Sequence, residues 1–323
     1  MGIVYNPERS SILLCKRPEG SSQGGLWELP GGKVAPGESE LTALKREFFE
    51  EVDIHVNEAH PLIKISHDYP EVMICLSAWV IDSWSGAPWG KQGQTVEWVS
   101  LQEIAGRQLP EANTRITKAI SLPRLYLITP DLASYEDSFL KLTEQLVGNG
   151  LRLLQFRSKS SSFNQHRGFV KELVEVCRKG ACQLVYNGTV DDALSVGAHG
   201  VHLQSNELLK LDNRPVSHDV LFSGSCHNEK EIEHSIRLNL DFCVISPVYQ
   251  TSSHLGSKGM GWSRFQELAK QSCIPVYALG GLKSEHLKNA NRNCAHGIAM
   301  ISGVWSAPDP VEVVCKLNTN DIY

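Results

Sequence analysis

The pattern of apolar positions divides the chain into two parts with different predicted elements. Before about residue 122, the most regular stretch is helical, because Leu41, Leu44, Phe48 and Val52 recur at i, i+3, i+7 and i+11 and so share one helix face. Short apolar runs around this helix predict strands at 1–5, 12–15, 72–82 and 95–100. Because the first strand begins at residue 1, we expect a chain trimmed at its start.

The second part has a regular alternation of strands and helices. Helical stretches such as 139–147, 163–177 and 229–238 lie between eight strand-like runs, at 125–129, 151–156, 183–186, 200–203, 221–224, 242–246, 275–279 and 297–301. Eight such repeats in about 200 residues predict a (β/α)₈ TIM barrel. A doubly wound parallel sheet is the structural alternative.

A short joint, Ser121 to Arg124, separates the two patterns and contains no Gly/Ser-rich spacer. Five of the seven tryptophans precede residue 100, so the two parts also differ in composition. A chain of 323 residues is long enough for two domains. We therefore predict an α/β protein with domains at 1–121 and 122–323.

Composition excludes several classes of partner. The net charge of −5 and a pI of about 6.2 give no basic surface for a nucleic-acid polymer. The longest apolar stretch, 73–81, is too short to span a bilayer, so no membrane partner is expected. Nine cysteines without a C-x-x-C pair are typical of reduced thiols, and Cys182 and Cys243 lie in apolar runs. These features predict a cytoplasmic protein.

Three glutamates fall on one face of the predicted helix. Glu47, Glu50 and Glu51 stand at i, i+3 and i+4, and their like charges repel unless a cation lies between them. Carboxylate oxygens suit Mg²⁺ or Mn²⁺, which also bind phosphate oxygens. Arg46 can orient or neutralise one carboxylate. The alternative interpretation is a solvated acidic helix face.

The spacing around these glutamates resembles the signature of the Nudix hydrolases. The matching positions are Gly32, Glu38, Arg46-Glu47-Phe48 and Glu50-Glu51. The resemblance implies an α/β/α sandwich, a catalytic set of Arg46, Glu47, Glu50 and Glu51, and a metal site at Gly31, Glu47, Glu50 and Glu51. One position departs, since Asp53 stands where the family has a glycine that ends the helix in the left-handed conformation.

From residue 2 to about residue 122, the chain is similar to the MutT group of Nudix hydrolases, which hydrolyse oxidised guanine nucleotides. The similarity includes the segments 16–17, 27–32, 86–91, 97–98 and 109–113. It implies a nucleoside triphosphate substrate bound by Arg17, Glu28, Leu29, Pro30, Gly31 and Asn113. The Asn113 amide, both donor and acceptor, would read a guanine edge. Without the resemblance, Arg17 would be a surface charge and Asn113 a loop or cap residue.

A second departure concerns the metal. The MutT group has a further metal-binding glutamate where this chain has Gln92, and a neutral amide is a weaker ligand for a hard cation. Glu97 lies five residues away and is a candidate replacement.

In the second part, candidate site residues follow the strands, where barrel sites lie. They are Arg157, Lys159, Asn187, Gly280, Gly281 and Ser302. Glycines after the seventh strand allow backbone N–H groups to approach an anion. Together with Gly200-Val201-His202-Leu203, these residues resemble the thiamine phosphate synthase superfamily, which includes thiazole tautomerases, over 125–305. The resemblance implies a thiamine-related phosphate as ligand.

The synthase pattern is incomplete in this chain. Gly188 follows Asn187 where the synthases have a metal-binding aspartate, and Glu207 stands at the position of a second one. His254 lies near an expected diphosphate-binding lysine. Without the metal pair, a diphosphate leaving group is poorly neutralised, although a phosphate monoester could still bind. His202 and His227 are acid–base candidates, but we interpret both as core histidines.

Three function hypotheses remain open. In the first, the chain is a Mg²⁺-dependent pyrophosphohydrolase acting on 8-oxo-dGTP. In the second, the carboxylate helix is vestigial and the chain is a regulatory module for thiamine-related phosphates. In the third, the chain is bifunctional and its barrel also works.

Overall fold

The protein is described by a computed structural model, which covers residues 1–21, 23–69, 72–131, 137–250 and 259–319. The chain divides into two compact units, one formed by Met1–Ser121 and the other beginning at Leu122. In the described part of the chain, no helix combines the length and the apolar character needed to cross a membrane.

The first unit consists of two three-stranded sheets and two helices. One sheet has the order β1-β5-β4, with β1 parallel to β5, and the other has the antiparallel order β3-β2-β6. The elements are β1 (Gly2–Val4), β2 (Ser11–Lys16), β3 (Trp27–Glu28), α1 (Glu40–Val52), β4 (Ile54–Tyr69), β5 (Val72–Gly86), β6 (Val96–Ser100) and α2 (Glu111–Ser121).

Alternating side chains of β2 supply two cores, one on each face of the strands. Leu13 packs in a cluster with Leu44 and Phe48 of α1, while Ile12 packs in another with Ile116 of α2. This two-residue period places a helix on either side and confirms the α/β/α sandwich. The predicted helix face is also confirmed, since its last three members are buried and Leu41 is half-buried.

The analysis of the sequence missed β3 and β4. Strand β3 has only two residues, and β4 contains many polar residues and Pro61, so neither forms an apolar run. The pairing of β4 with β5 shifts register near Pro61, which is where a sheet accommodates a residue lacking an N–H donor.

The second unit is a closed barrel of eight parallel strands. Its strands are β7 (Leu125–Ile128), β8 (Leu153–Phe156), β9 (Gln183–Asn187), β10 (Gly200–Leu203), β11 (Leu221–Cys226), β12 (Phe242–Ile245), β13 (Val276–Leu279) and β14 (Gly297–Met300). Because β14 pairs with β7, the barrel closes, and the doubly wound alternative is excluded. All eight predicted strands are confirmed.

Helices accompany these strands along the chain. They are α3 (Asp137–Gly148), α4 (Phe163–Lys179), α5 (Val190–Ser195), α6 (Ser205–Leu208), α7 (Glu229–Arg237), α8 (Gly261–Ala269), α9 (Leu287–Arg292), α10 (Ser302–Trp305) and α11 (Pro310–Thr319). The predicted stretches 139–147, 163–177 and 229–238 correspond to α3, α4 and α7, with ends within two residues of the observed ones.

Large aromatic rings fill the barrel interior. Tyr126, Phe242 and Tyr277 contact one another with ring centroids 5.1 to 5.5 Å apart. Two polar residues, Gln155 and His202, are buried near the carboxyl ends of β8 and β10. A polar layer therefore lies next to the end of the barrel where sites form.

Candidate active sites of the two units

The ends of α1 position its glutamates. The Ser39 hydroxyl accepts the N–H of Thr42 and caps the first turn, and Asp53 ends the helix at φ 58°, in the left-handed region. Asp53 supplies this conformation with some strain, and its carboxylate accepts hydrogen bonds from Lys91 at 2.9 Å and Trp89 at 3.3 Å. The departure from the family glycine is thus accompanied by two contacts that a glycine cannot make.

Arg46 organises the acidic face of the helix. Its guanidinium donates to both oxygens of Glu38, at 3.0 and 3.1 Å, to Glu47 at 2.8 Å and to Glu50 at 3.1 Å. Hydrogen bonds to these carboxylates keep the pKa of Arg46 above its usual value. The cation therefore brings Glu47 and Glu50 together.

The segment Gly31-Gly32 lies directly against the glutamates. The Gly31 N–H donates to Glu51 at 2.9 Å, and a Cβ at Gly32 would lie 2.2 Å from the Glu47 carboxylate. Burial raises the pKa of Glu51 to about 7, against the Gly31 hydrogen bond, and repulsion from Glu47 and Glu28 adds to the rise. Negative charge is thus crowded at this backbone.

These groups fit a hard divalent cation by their chemistry. Among the described residues, no three or more His, Cys, Asp or Glu side chains are gathered closely enough to hold a metal ion. Two of the glutamates are paired with Arg46 instead. The available donors are nevertheless the carboxylates of Glu47, Glu50 and Glu51 beside a glycine backbone, and a cation would relieve the repulsion that acts on Glu51.

The predicted nucleotide residues lie around β3. Arg17 forms an ion pair with Glu28. Asn113, which is 3% exposed, accepts the N–H of Leu29 through its Oδ1 at 3.1 Å. The Asn113 amide oxygen therefore holds the segment that leads to Pro30 and Gly31.

Neither of the two residues discussed for the missing metal ligand is shown beside the glutamates of α1. Gln92 is exposed, and its backbone N–H donates to the Gln94 side chain at 2.9 Å. The Glu97 carboxylate accepts from Arg107 at 2.5 Å, and the Arg107 guanidinium lies 4.9 Å from the centroid of the Trp27 ring. The structure thus pairs the candidate replacement with an arginine.

In the barrel, one cavity of about 1050 Å³ lies at the carboxyl ends of the strands. The six residues predicted there line this cavity together: Arg157, Lys159, Asn187, Gly280, Gly281 and Ser302. The analysis of the sequence did not single out Gln204, Ser225 or Ser246, which also line it. The rule that sites follow strand ends would have found them, because all three lie at or just after the ends of strands.

Hydrogen bonds fix the main chain at the two cationic residues of this pocket. The backbone N–H of Arg157 donates to the Thr129 hydroxyl at 2.9 Å, and that of Lys159 donates to Asp131 at 3.0 Å. Burial lowers the pKa of Arg157, and the charge of Asp131 opposes this change. Two cations thus belong to the lining of a pocket whose other groups are mostly neutral.

The synthase metal site is not assembled. A Cβ at Gly188 would lie 2.5 Å from the ring of Tyr186, whose hydroxyl contacts His166 at 2.9 Å. The half-exposed Glu207 pairs with Lys210 at 2.8 Å and, like every other carboxylate, is missing from the described lining of the cavity. These residues do not fit the metal pair of a synthase. His254 lies outside the described residues.

The two histidines considered as acid–base candidates, His202 and His227, differ in their burial. His202 is buried and hydrogen-bonded through both ring nitrogens, which confirms a core position, and its ring also borders the cavity. The core interpretation is wrong for His227, which is exposed, lines the cavity and contacts the Ser246 carbonyl through Nδ1 at 2.8 Å. Its position directly after β11 puts it at the barrel mouth.

Comparisons with known proteins find a separate match for each part of the chain. A model of the thiamine monophosphate synthase family matches residues 125–304, and a NUDIX domain model matches residues 1–119. Putative thiamine-phosphate synthase 2 of Aquifex aeolicus is 33% identical over 183 residues, covering 57% of this chain and 98% of its own length. The chain spans between 52% and 59% of the length of several cyanobacterial thiamine-phosphate synthases.

Solved structures resemble each part. A thiamine phosphate pyrophosphorylase from Pyrococcus furiosus covers 61% of this chain and 95% of its own, at a TM-score of 0.53 and 20% identity. A MutT structure, from work on Aliivibrio salmonicida and Vibrio cholerae, covers 37% of this chain and 91% of its own, at a TM-score of 0.33 and 35% identity. The chain therefore belongs to the thiamine monophosphate synthase family through residues 125–304, and its residues 1–119 match a NUDIX domain model.

Proposed function

We propose that the N-terminal domain is a Mg²⁺-dependent nucleoside triphosphate pyrophosphohydrolase that converts 8-oxo-dGTP to 8-oxo-dGMP and pyrophosphate. Such an activity would remove oxidised nucleotides before DNA replication and so avoid mutations. The observation that carries the proposal is the acidic face of α1, pressed against Gly31-Gly32 and organised by Arg46.

The chain's own residues prepare this site in two ways. Arg46 holds Glu47 and Glu50 side by side, and the Gly31 N–H orients Glu51. The bound Mg²⁺ (or Mn²⁺) would supply charge neutralisation on the phosphates and an activated water. Glu47, Glu50, Glu51 and Gly31 would hold it.

The base would lie near β3 and α2. Arg17 offers a cation, and the NH₂ group of Asn113 can donate to a carbonyl of the base while its Oδ1 stays on Leu29.

A pyrophosphate-release assay tests this proposal. The purified chain is given oxidised and ordinary nucleoside triphosphates with and without Mg²⁺. We expect metal-dependent release with a preference for 8-oxo-dGTP. Metal-dependent release without that preference would mean that the substrate is not 8-oxo-dGTP, while the proposed hydrolase activity would stand. No release from any nucleotide would instead favour the regulatory hypothesis.

A second proposal concerns the barrel. We infer that it binds a thiamine-related phosphate monoester and does not join pyrimidine and thiazole units. Two cations and the Gly280-Gly281 backbone line its cavity, while the described lining contains no carboxylate for the metal that a departing diphosphate needs. His227 is the proton-transfer candidate, because its Nδ1 contacts a carbonyl and its Nε2 remains for a ligand.

A further inference from the structure

The loop between β5 and β6, residues 87–95, is hydrogen-bonded to the C-terminal end of α1. The backbone N–H of Trp89 donates to the Val52 carbonyl at 3.2 Å, and the backbone N–H of Lys91 donates to the Glu51 carbonyl at 3.0 Å. The last carbonyls of a helix have no partner within the helix itself. This β5–β6 loop therefore supplies hydrogen bonds that complete the last turn of α1.

Asp53 connects the same loop to the helix through its side chain. Its carboxylate accepts from the Lys91 ammonium at 2.9 Å and from the Trp89 indole N–H at 3.3 Å. The Lys91 ammonium also lies 3.9 Å from the centroid of the Phe49 ring, one turn earlier on α1. Lys91 is thus held between two side chains of the helix end.

These contacts depend on the aspartate side chain. A glycine would adopt the left-handed conformation of residue 53, at φ 58°, without strain, but it has no side chain to accept from Lys91 or Trp89. An ion pair between partly exposed groups contributes little to stability. The aspartate is therefore better explained by what it positions than by what it adds to the free energy of folding.

The turn that the β5–β6 loop completes carries two of the site glutamates. Glu50 and Glu51 directly precede Val52, the last residue of α1. A helix end that loses its hydrogen-bond partners frays, and fraying would change the directions of both carboxylates. Contacts that orient metal ligands from outside typically change metal affinity roughly 10–100-fold when they are removed.

We propose that Asp53 is a positioning residue of the hydrolase site. By holding the β5–β6 loop against the last turn of α1, it fixes the directions in which Glu50 and Glu51 present their carboxylates to a divalent cation. The inference rests on the metal site of the proposed function. It gives a role to the aspartate at which this chain departs from the family glycine.

Mn²⁺ binding, measured by electron paramagnetic resonance, tests this inference, with Glu51→Gln as the background. We expect Asp53→Gly to weaken Mn²⁺ binding about tenfold without lowering the melting temperature, because the glycine removes backbone strain together with the link. Lys91→Met keeps an unbranched side chain near Phe49 but loses the ammonium, so it should also weaken binding. Asp53→Asn keeps an oxygen acceptor and tolerates the left-handed conformation, so it should retain most of the affinity.

Amide hydrogen exchange provides a readout that does not depend on the metal. In the metal-free protein, the Trp89 and Lys91 amides should exchange faster in Asp53→Gly than in the native chain, because the side-chain link no longer holds the loop. The matched control is Asn239→Gly, which replaces another non-glycine residue in the left-handed region, at φ 55° and exposed in the barrel unit. It should change neither Mn²⁺ affinity nor these exchange rates.

Native Mn²⁺ affinity in Asp53→Gly would overturn the inference, and if the melting temperature fell at the same time, the contact would be purely structural. Weaker binding with unchanged amide exchange would also overturn it, because the effect would then not pass through the loop. If the native chain binds no Mn²⁺ above the Glu51→Gln background, the metal site of the proposed function is refuted, and the positioning role with it.

Discussion

At the scale of single residues, the main feature is the group of charged side chains formed by Arg46 and the glutamates around it. Arg46 pairs with Glu47 and Glu50, while burial and the negative charges of Glu47 and Glu28 raise the pKa of Glu51. Crowded carboxylates of this kind favour a bound cation, so the loss of one charge should weaken the site directly.

We expect Glu50→Gln or Glu51→Gln to reduce pyrophosphate release at least ~10²-fold, because each removes a charge from the metal-binding face. The measurement is turnover at limiting Mg²⁺. Glu58→Gln, at an exposed position on β4, is the matched control and should retain activity. Near-normal turnover in both helix variants would show that this face is not catalytic.

Variants of Asn113 can distinguish a role in base recognition from a purely structural role. Asn113→Ala should narrow the preference for oxidised over ordinary dGTP more than it slows hydrolysis, by about 1–3 kcal/mol, and should also release Leu29. Asn113→Asp keeps an oxygen for the Leu29 N–H but loses the NH₂ donor, so it should lose discrimination too. Equal slowing of both nucleotides would make Asn113 structural. The measurement is kcat/KM for each nucleotide.

At the scale of elements, the end of β9 explains why the barrel lacks a synthase carboxylate. Tyr186 is stacked with Phe156 at 6.0 Å, and its ring occupies the space beside Gly188. Replacing the glycine alone therefore does not recreate a synthase site, since the ring must move as well.

We expect Gly188→Asp to destabilise the protein by about 1–3 kcal/mol without producing thiamine phosphate synthesis. Thermal unfolding and a product assay provide the two measurements. Gly168→Asp is the control, because a Cβ at that exposed position meets nothing within 4 Å. Synthesis by Gly188→Asp would contradict our explanation of the lost metal site.

At the scale of the whole molecule, a NUDIX domain and a thiamine monophosphate synthase domain are joined in one chain. The barrel retains Arg157, Lys159 and a glycine loop at its cavity, although the metal carboxylates are missing from the described lining. Binding without synthesis is the behaviour that this combination favours.

We expect thiazole phosphate or thiamine phosphate to raise the melting temperature in proportion to the logarithm of ligand concentration at high ligand, as linkage requires. A Glu51→Gln chain supplied with pyrimidine diphosphate and thiazole phosphate should form no thiamine phosphate. Steady product formation would make the chain bifunctional. Absence of any ligand-dependent shift would refute the barrel site.

The sequence by itself determined the features that depend on local spacing. The eight strands of the barrel, helix α1 with its buried face, and six of the residues that line the barrel cavity follow from periodicity and from positions after strands. These signals persist in a single sequence because side-chain direction repeats every 2 residues in a strand and every 3.6 in a helix.

Only the tertiary structure decided the pairings between distant residues. Asn113 accepts the N–H of Leu29 across 84 positions, and Arg107 pairs with Glu97. His202 lies within hydrogen-bonding distance of Ser223 and Ser225 on the neighbouring strand. His227 likewise became a cavity residue only when β11 was placed in the closed barrel. Such contacts depend on how strands and loops pack in three dimensions, and they cannot be predicted from the spacing of residues along the chain.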